Sequence, residues 1–257
     1  MPEGLEAEIW RTAIEVTVGR TITDAYVDER VAPPGFVSAV RDLRITAVRR
    51  AGKVVLINTD GPTIGLHFGM TGRVVVDGSA PIERLSYASG RDEAEWNRLL
   101  LWTGPPDRPA AVRFNDPRRF GHVSLDPDLS GLGPDMFVVT PSELRAVLAR
   151  RRTSIKAVLL DQHVVAGLGN LCVDEVLWWA GIAPHRAGEN VTVEESRRLV
   201  TVMRRRLRVM LRRGGSTTGV IDPRVRAELP HCSRDGAPLR RAQIGNRTTV
   251  WCAAHQR

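Results

Sequence analysis

The sequence predicts an α+β protein of several parts: a β-rich N-terminal domain led by a helix, a linker, a helical domain and a small C-terminal hairpin. Three observations carry this. Short β-branched runs bounded by turn residues fill the stretch from Thr21 to about Leu125. A helical period takes over beyond Pro141. The closing segment "HCSRDGAPLRRAQIGNRTTVWCAAHQR", from His231 to Arg257, holds two of the three cysteines in a pair of matching knuckles.

Residues 2–18 read as the opening helix: Pro2 suits a first-turn position, and Leu5, Ile9, Ala13 and Val16 recur at near-helical spacing. The runs "KVVLINTD", "PTIGLHFGM", "RVVVDG" and "AAVRFNDP" are bounded by Gly, Pro, Asn or Asp, as strands of an antiparallel sheet are. "LDPDLSGLGPD" (125–135) is rich in breakers and reads as a linker. Pro141–Arg151 then has a cap at Thr140 with Glu143 three residues on. Helical patterns continue through 153–163, 169–181 and an arginine-rich 192–213, which "RRGGSTTG" ends. The expected divisions are 1–125 for the β domain with its helix, 126–140 for the linker, 141–228 for the helical domain and 229–257 for the hairpin.

The chain has 257 residues, enough for one large or two modest cores. It shows neither a signal-like apolar start nor a run of eighteen apolar residues, which argues against secretion and against a membrane span. Three cysteines make no disulfide framework, so a reducing cytoplasm is the expected setting. The net charge of +8 fits a polyanion partner, and equally a basic enzyme. Of the 37 basic residues only Lys53 and Lys156 are lysine, which leaves 35 arginines. Coding bias explains the surplus, but a compact ammonium and a planar guanidinium differ in what they hold, so the two lysines stand out.

Several segments carry candidate chemistry. "MPEG" would expose a secondary amine at Pro2 once Met1 is removed. A terminal amine has a pKa near 8, so an appreciable share is neutral at pH 7 and able to form an iminium with an aldehyde-like carbon. Glu3 could move protons, and Glu6 lies one turn along the same face; a helix that merely begins with Pro and Glu explains the same residues. "AGKVV" sets Lys53 at a turn where an ammonium can hold a phosphate. "HFGMTG" presents Met70 on a Gly-bounded turn, and "NDPRRFG" presents Arg118, Arg119 and Phe120. A slim apolar wedge, a guanidinium fork and an aromatic ring can fill a gap in a base stack, although core packing and a solvated face are the ordinary uses of these residues. In "LLDQHVVAGLGNLCVDEVLWW" the Gly167–Gly169 turn opens a helix whose amides, with Asn170, suit a backbone phosphate.

These segments occur in the order and spacing of one family, and the chain resembles formamidopyrimidine-DNA glycosylase / endonuclease VIII from end to end. The "LLDQ…GLGN" and "NDPRRFG" segments are the most specific parts. The resemblance implies an N-terminal antiparallel β-sandwich with flanking helices, a helix–two-turn–helix domain and a C-terminal zinc-finger β-hairpin, with DNA in the cleft between. It implies Pro2 as nucleophile, Glu3 as proton-transfer partner, and Lys53, Asn170 and Arg247 on phosphates around a lesion. Met70, Arg118 and Phe120 match residues that fill the vacated stack, while Glu6 and Lys156 match positions near the lesion pocket. The implied activity is excision of oxidised bases from damaged double-stranded DNA: base flipping, attack of Pro2 on C1′, then elimination that cuts the strand. A monomer acting in the bacterial cytoplasm, at the nucleoid, is the implied setting.

Departures from the family pattern shape the remaining expectations. Leu5 stands for a usual proline and Cys172 for a usual tyrosine. The span from Gly214 to Cys232 lacks a long capping loop and a Tyr-Gly-Arg segment, which points to an endonuclease VIII-like lesion preference. The finger has Asp235 and His255 where cysteines are common. One structural zinc is expected on Cys232, Asp235, Cys252 and His255; Asp235 is chosen over His231 for its knuckle spacing and for Gly236, which can turn tightly beneath a metal. A metal-free hairpin is the alternative. A DNA-damage-binding paralogue without chemistry is the competing function, which a free proline amine would not serve. A zinc-finger transcription factor is disfavoured by the single hairpin and the lack of a recognition helix.

Overall fold

The computed structural model describes residues 2–82, 85, 91–104 and 110–257, which form two compact units, 1–130 and 131–257. In the first, helix α1 (Gly4–Ile14) precedes strand β1 (Asp24–Val27), the short helix α2 (Phe36–Val40), and strands β2 (Ile45–Ala51), β3 (Val54–Thr59), β4 (Ile64–His67), β5 (Arg73–Val76), β6 (Asn97–Trp102), β7 (Val112–Asn115) and β8 (His122–Leu125). Two four-stranded antiparallel sheets result, ordered β1-β6-β7-β5 and β2-β3-β4-β8. Together they make the expected β-sandwich. Alternation along the strands turns Val55, Ile57, Ile64, Leu66, Val74, Leu99, Val112 and Phe114 into one core with Trp10 and Ile14 of α1. Burying each such side chain contributes roughly 1.5–3 kcal/mol, which explains why a β-rich unit retains its leading helix.

One expectation about α1 is corrected. Pro2 does not lie in the first turn: the helix begins at Gly4, with Glu3 as its extended cap at φ −115° and ψ −173°. The cause is local. The Glu3 backbone N–H donates to Glu6 Oε2 at 2.7 Å, so the carboxylate three residues on closes the helix start and leaves Pro2 before the cap.

The second unit holds α3 (Pro141–Leu148), α4 (Ile155–Leu160), α5 (Asn170–Ala180), α6 (Val193–Arg212) and α7 (Pro223–Glu228), followed by the hairpin β9 (Leu239–Ile244) and β10 (Arg247–Cys252). Thr140 and Glu143 form the anticipated capping box on α3, and Thr192 and Glu195 form another on α6. Helix α6 turns Leu199, Met203, Leu207 and Met210 inward and keeps Arg197, Arg205, Arg208 and Arg212 on its outer side. The second half of the anticipated linker packs with this unit, because Met136 and Val139 are fully buried. Helix α7 has no counterpart in the sequence reading; Asp222 caps it by accepting from the Val225 N–H at 2.8 Å. No helix among the described residues is long and apolar enough to cross a membrane.

Candidate functional site

At the start of the first unit Pro2, Glu3 and Glu6 are all buried. Glu6, expected near a lesion pocket, spends one carboxylate oxygen on the Glu3 N–H and thereby fixes the peptide that follows Pro2. Helix α1 anchors this end by packing Trp10 on Phe68, ring centroids 4.2 Å apart. Phe68 belongs to "HFGMTG", so the N-terminus and the Met70 turn share one hydrophobic contact.

The Met70 turn and the Arg118–Phe120 turn are built as a single object. Gly69 has φ +54°, and a Cβ there would stand 2.3 Å from the Phe120 carbonyl carbon. A Cβ on Gly121 would meet the Phe114 ring at 2.5 Å and the His67 carbonyl oxygen at 2.6 Å. Such contact is open only to glycine. Asp116, fully buried, ties the two turns: one oxygen accepts from the Thr71 hydroxyl, and the other from the Gly121 N–H at 2.8 Å. The outcome is an exposed cluster in which Met70 is 38% and Phe120 50% accessible, with the Arg118 guanidinium 4.5 Å from the Phe120 ring centroid. Neighbouring Arg119 does not join them. It adopts φ +54° and turns back to Asp28 at 3.0 Å, where Arg98 also donates at 2.8 Å. Arg30 first, with Arg119, holds the Asp28 carboxyl far below the usual carboxylate range.

Lys53 occupies the two-residue turn between β2 and β3, after Gly52 at φ +56°. Register pairs Val54 with His67, and His67 stacks on His122 with centroids 4.8 Å apart. Burial first, then His122 and Lys53, push the His67 imidazole down to about 4, so it is neutral at pH 7. Sequence reasoning passed over His67, although it opens the quoted motif. It also passed over Asp116, whose place before a proline marks a turn without revealing a second turn beneath it.

In the second unit Gly169 caps α5 and Asn170 is its first residue. The Asn170 amide nitrogen donates to the Thr248 carbonyl at 3.1 Å, across to β10. Arg247, exposed, follows a Gly245–Asn246 turn with φ +58° and +57°, the geometry of a tight hairpin turn. Lys156, expected near a lesion pocket, has no exposed surface; its ammonium is held by Asp174 at 2.6 Å and Thr248 O at 3.3 Å, as an interior ion-pair member. Its isolation in an arginine-rich chain reflects the fit of a thin, compact cation into a closed site.

Cys232, Asp235, Cys252 and His255 bring four ligand atoms within 4.8 Å of one another. His255 Nδ1 lies 2.8 Å from Asp235 Oδ2 and 3.7 Å from Cys232 Sγ, and Cys252 Sγ lies 3.3 Å from Asp235 Oδ2. Tetrahedral sulfur, nitrogen and oxygen ligands of one zinc stand roughly 3.3–3.8 Å apart, so this donor set fits a metal ion after small adjustments. The Trp178 carbonyl accepts from His255 Nε2 at 3.2 Å, which leaves Nδ1 with its lone pair toward the cluster. Gly236, at φ +71°, makes the turn, with its N–H donating to Cys232 O at 2.8 Å. His231 is exposed and outside the cluster. Backbone N–H donation from Ala237 and contact with His255 hold the Asp235 carboxyl far below its ordinary value, while burial pushes the Cys252 thiol up.

Comparison with known proteins identifies both units. Residues 1–123 match the formamidopyrimidine-DNA glycosylase N-terminal domain, and residues 131–222 match the formamidopyrimidine-DNA glycosylase H2TH domain. A formamidopyrimidine-DNA glycosylase of Paracoccus denitrificans is 36% identical over 234 residues, covering 84% of this chain and 80% of the relative. One from Alteromonas mediterranea is 30% identical over the whole of both chains. Among solved structures, Lactococcus lactis formamidopyrimidine-DNA glycosylase, bound non-covalently to DNA containing an AP site, superposes with a TM-score of 0.83 at 25% identity over 99% of each chain. The Thermus thermophilus protein gives 0.81 at 26% identity over 99% of this chain and 98% of its own. With both domain profiles matched in order, and relatives aligned across most or all of their length, the chain belongs to the formamidopyrimidine-DNA glycosylase family.

Proposed function

We propose that this protein is a bifunctional DNA glycosylase and AP lyase that removes oxidised bases from duplex DNA in base excision repair. The observation that carries the reading is the joining of Pro2–Glu3, through Trp10 on Phe68, to a rigid pair of turns presenting Met70, Arg118 and Phe120. The turns supply the side chains that occupy a vacated base stack, and the helix start supplies a nucleophile. Hydrolysis of the Met1–Pro2 bond frees a secondary amine; Met1 lies outside the described residues. The Pro2 nitrogen bonds to C1′ as the glycosidic bond breaks and its electron pair leaves with the base. Ring opening gives an iminium that acidifies C2′–H, so elimination expels the 3′ phosphate and, repeated along the sugar, the 5′ phosphate. Glu3 is the proton carrier, positioned by the Glu6 bond to its own backbone. Lys53, with His67 beside it, and Asn170 with Arg247 are assigned to phosphates; Lys156 acts from the interior.

Zinc is assigned to Cys232, Asp235, Cys252 and His255, where it would cross-link the turn before β9 to the turn after β10 and supply no chemistry, while His255 Nε2 ties that end of the hairpin to the Trp178 carbonyl of α5. The working parts are assigned as 1–125, 126–140, 141–228 and 229–257, in a monomer acting on nucleoid DNA in the cytoplasm. The endonuclease VIII-like preference rests on the segment after α6. Glu175 accepts from the Val220 and Ile221 N–H groups at 2.7 and 3.1 Å, and α7 follows at once, which leaves little chain for a lid. Fewer hydrogen bonds to a purine edge weaken discrimination by roughly 1–3 kcal/mol each.

Borohydride trapping on duplexes carrying an abasic site, an oxidised pyrimidine, a ring-opened purine or 8-oxoguanine tests the whole. The mature protein should trap covalently, 8-oxoguanine least. A chain extended before Pro2 should bind without trapping; normal trapping by that chain would exclude Pro2 as nucleophile. Excision of 8-oxoguanine as fast as the best substrate would overturn the lesion preference alone.

A further inference from the structure

One backbone oxygen in the second unit is surrounded by donors from three elements. The Thr248 carbonyl, on β10, accepts from Lys156 Nζ of α4 at 3.3 Å, from Asn170 Nδ2 of α5 at 3.1 Å, and from the Arg226 guanidinium of α7. Two of these donors share an anchor. Asp174 binds Lys156 Nζ through Oδ1 at 2.6 Å and the Arg226 guanidinium through Oδ2, and Oδ2 also accepts from the Val250 N–H at 3.2 Å. Asp174 and Lys156 have no exposed side-chain surface, and Arg226 is 8% exposed.

Such an arrangement is a poor choice for stability alone. Burying ions carries a desolvation penalty before their attraction is counted, and packed apolar side chains of the same volume often do better. What ions with fixed hydrogen bonds supply is direction. The cluster fastens β10 at positions 248 and 250, and Arg247 is bonded to the first of these. It also fixes the Asn170 amide in one orientation, nitrogen toward the carbonyl, at the expense of leaving Oδ1 buried without a partner among the described residues.

We propose that Asp174 and Arg226 are positioning residues, which through the Thr248 carbonyl set Asn170 and Arg247 in register as one phosphate grip. The proposal rests on the assignment of Asn170 and Arg247 to DNA phosphate. Helix α7 thereby takes over, from within the protein, the orientation of a DNA-contacting pair that it does not itself belong to.

A double-mutant cycle on the full protein tests this. A duplex with an abasic-site analogue is titrated at several salt concentrations against wild type, Arg226→Met, Arg247→Ala and the double variant, with melting temperature and zinc content measured alongside. Arg226→Met should lose affinity about tenfold and flatten the log Kd against log salt slope by about one phosphate, near 0.9, while retaining zinc. Arg247→Ala should lose as much, and the double variant should lose little more than either. If the two losses multiply, or Arg226→Met leaves the salt slope untouched, the coupling is overturned while the phosphate assignment stands. If Arg247→Ala alone changes neither affinity nor slope, the assignment fails and the proposal with it. Should the methionine variant not fold, Arg226→Lys keeps the charge but loses the two-nitrogen fork by which Nη1 holds Asp174 and Nη2 holds the Thr248 carbonyl. It should show the same flattened slope and non-additivity, and additive losses would again overturn the coupling.

Discussion

Asp116 shows how one side chain organises chemistry it does not perform. Its two oxygens serve the Thr71 hydroxyl and the Gly121 N–H from a fully buried position. Asp116→Ala would strand both donors, at about 1–3 kcal/mol each. The expected result is a melting temperature lowered by roughly 5–15 °C, and, if Met70, Arg118 and Phe120 fill a vacated stack as proposed, loss of base excision that exceeds loss of abasic-site cleavage. Equal loss on both substrates would argue against that role. His67 gives a second test. An unfolded imidazole takes up a proton near 6.5 and the folded one only near 4, so the unfolded state binds more protons between those values. Stability should therefore fall on acidification from pH 6.5 to 4, by up to about 1.4 kcal/mol per pH unit before solvent screening reduces it. Replacing His67 with Asn should make the dependence of melting temperature on pH shallower in that window; an unchanged profile would show that another group sets it. At this scale the sequence was legible where chemistry sits in a run of adjacent residues, as in "NDPRRFG", and opaque where a partner is distant, as with Lys156 and Asp174.

Helices and hairpins were legible in proportion to how local their determinants are. The Thr140–Glu143 box lies within four residues and forms as read, and the Gly245–Asn246 turn of the anticipated hairpin is equally local. The order β1-β6-β7-β5 has no such signature, since it depends on pairings such as Tyr26 with Leu100 across the chain. Helix α7 was hidden by a segment of six residues too short to show a period. The hairpin is the element most dependent on others, because two strands alone are marginal in water. It is fastened by the apolar contact of Leu239 and Val250 with Trp178, and by Gln256, which receives the Cys252 N–H at 2.8 Å and donates to Ile182 O at 3.0 Å. Chelation should accordingly open the β9–β10 amides to hydrogen exchange while α6 keeps its protection. The emission of Trp178 should change with it, as its ring meets that of His255 edge-on at 5.2 Å. Asp235→Ala should lower zinc content and His231→Ala should not; the reverse would exchange the fourth ligand.

For the whole molecule the charge of +8 sets how it meets DNA before any lesion is found. Helix α6 adds an outward row, Arg197, Arg205, Arg208 and Arg212, with no ion-pair partner among the described residues. Lys53 and Arg247 alone would give a log–log salt slope near −1.8, so raising salt from 50 to 200 mM should weaken undamaged-duplex binding at least about tenfold. Binding insensitive to salt would mean that the cationic surface is not where DNA lies. Charge was readable from composition at once, but its placement was not, because coding bias spreads arginine over structural and exposed positions alike.

The near-contact of Gly69 with Phe120 has a meaning for descent. Positions 69, 116 and 121 can hardly change one at a time: any side chain at 69 meets the opposite turn's backbone, and any loss at 116 frees that turn. Lineages would explore new tips at 70, 118 and 120 freely while the three positions beneath are inherited together. Paired libraries should show this as strong epistasis below the tips and near-independence among them.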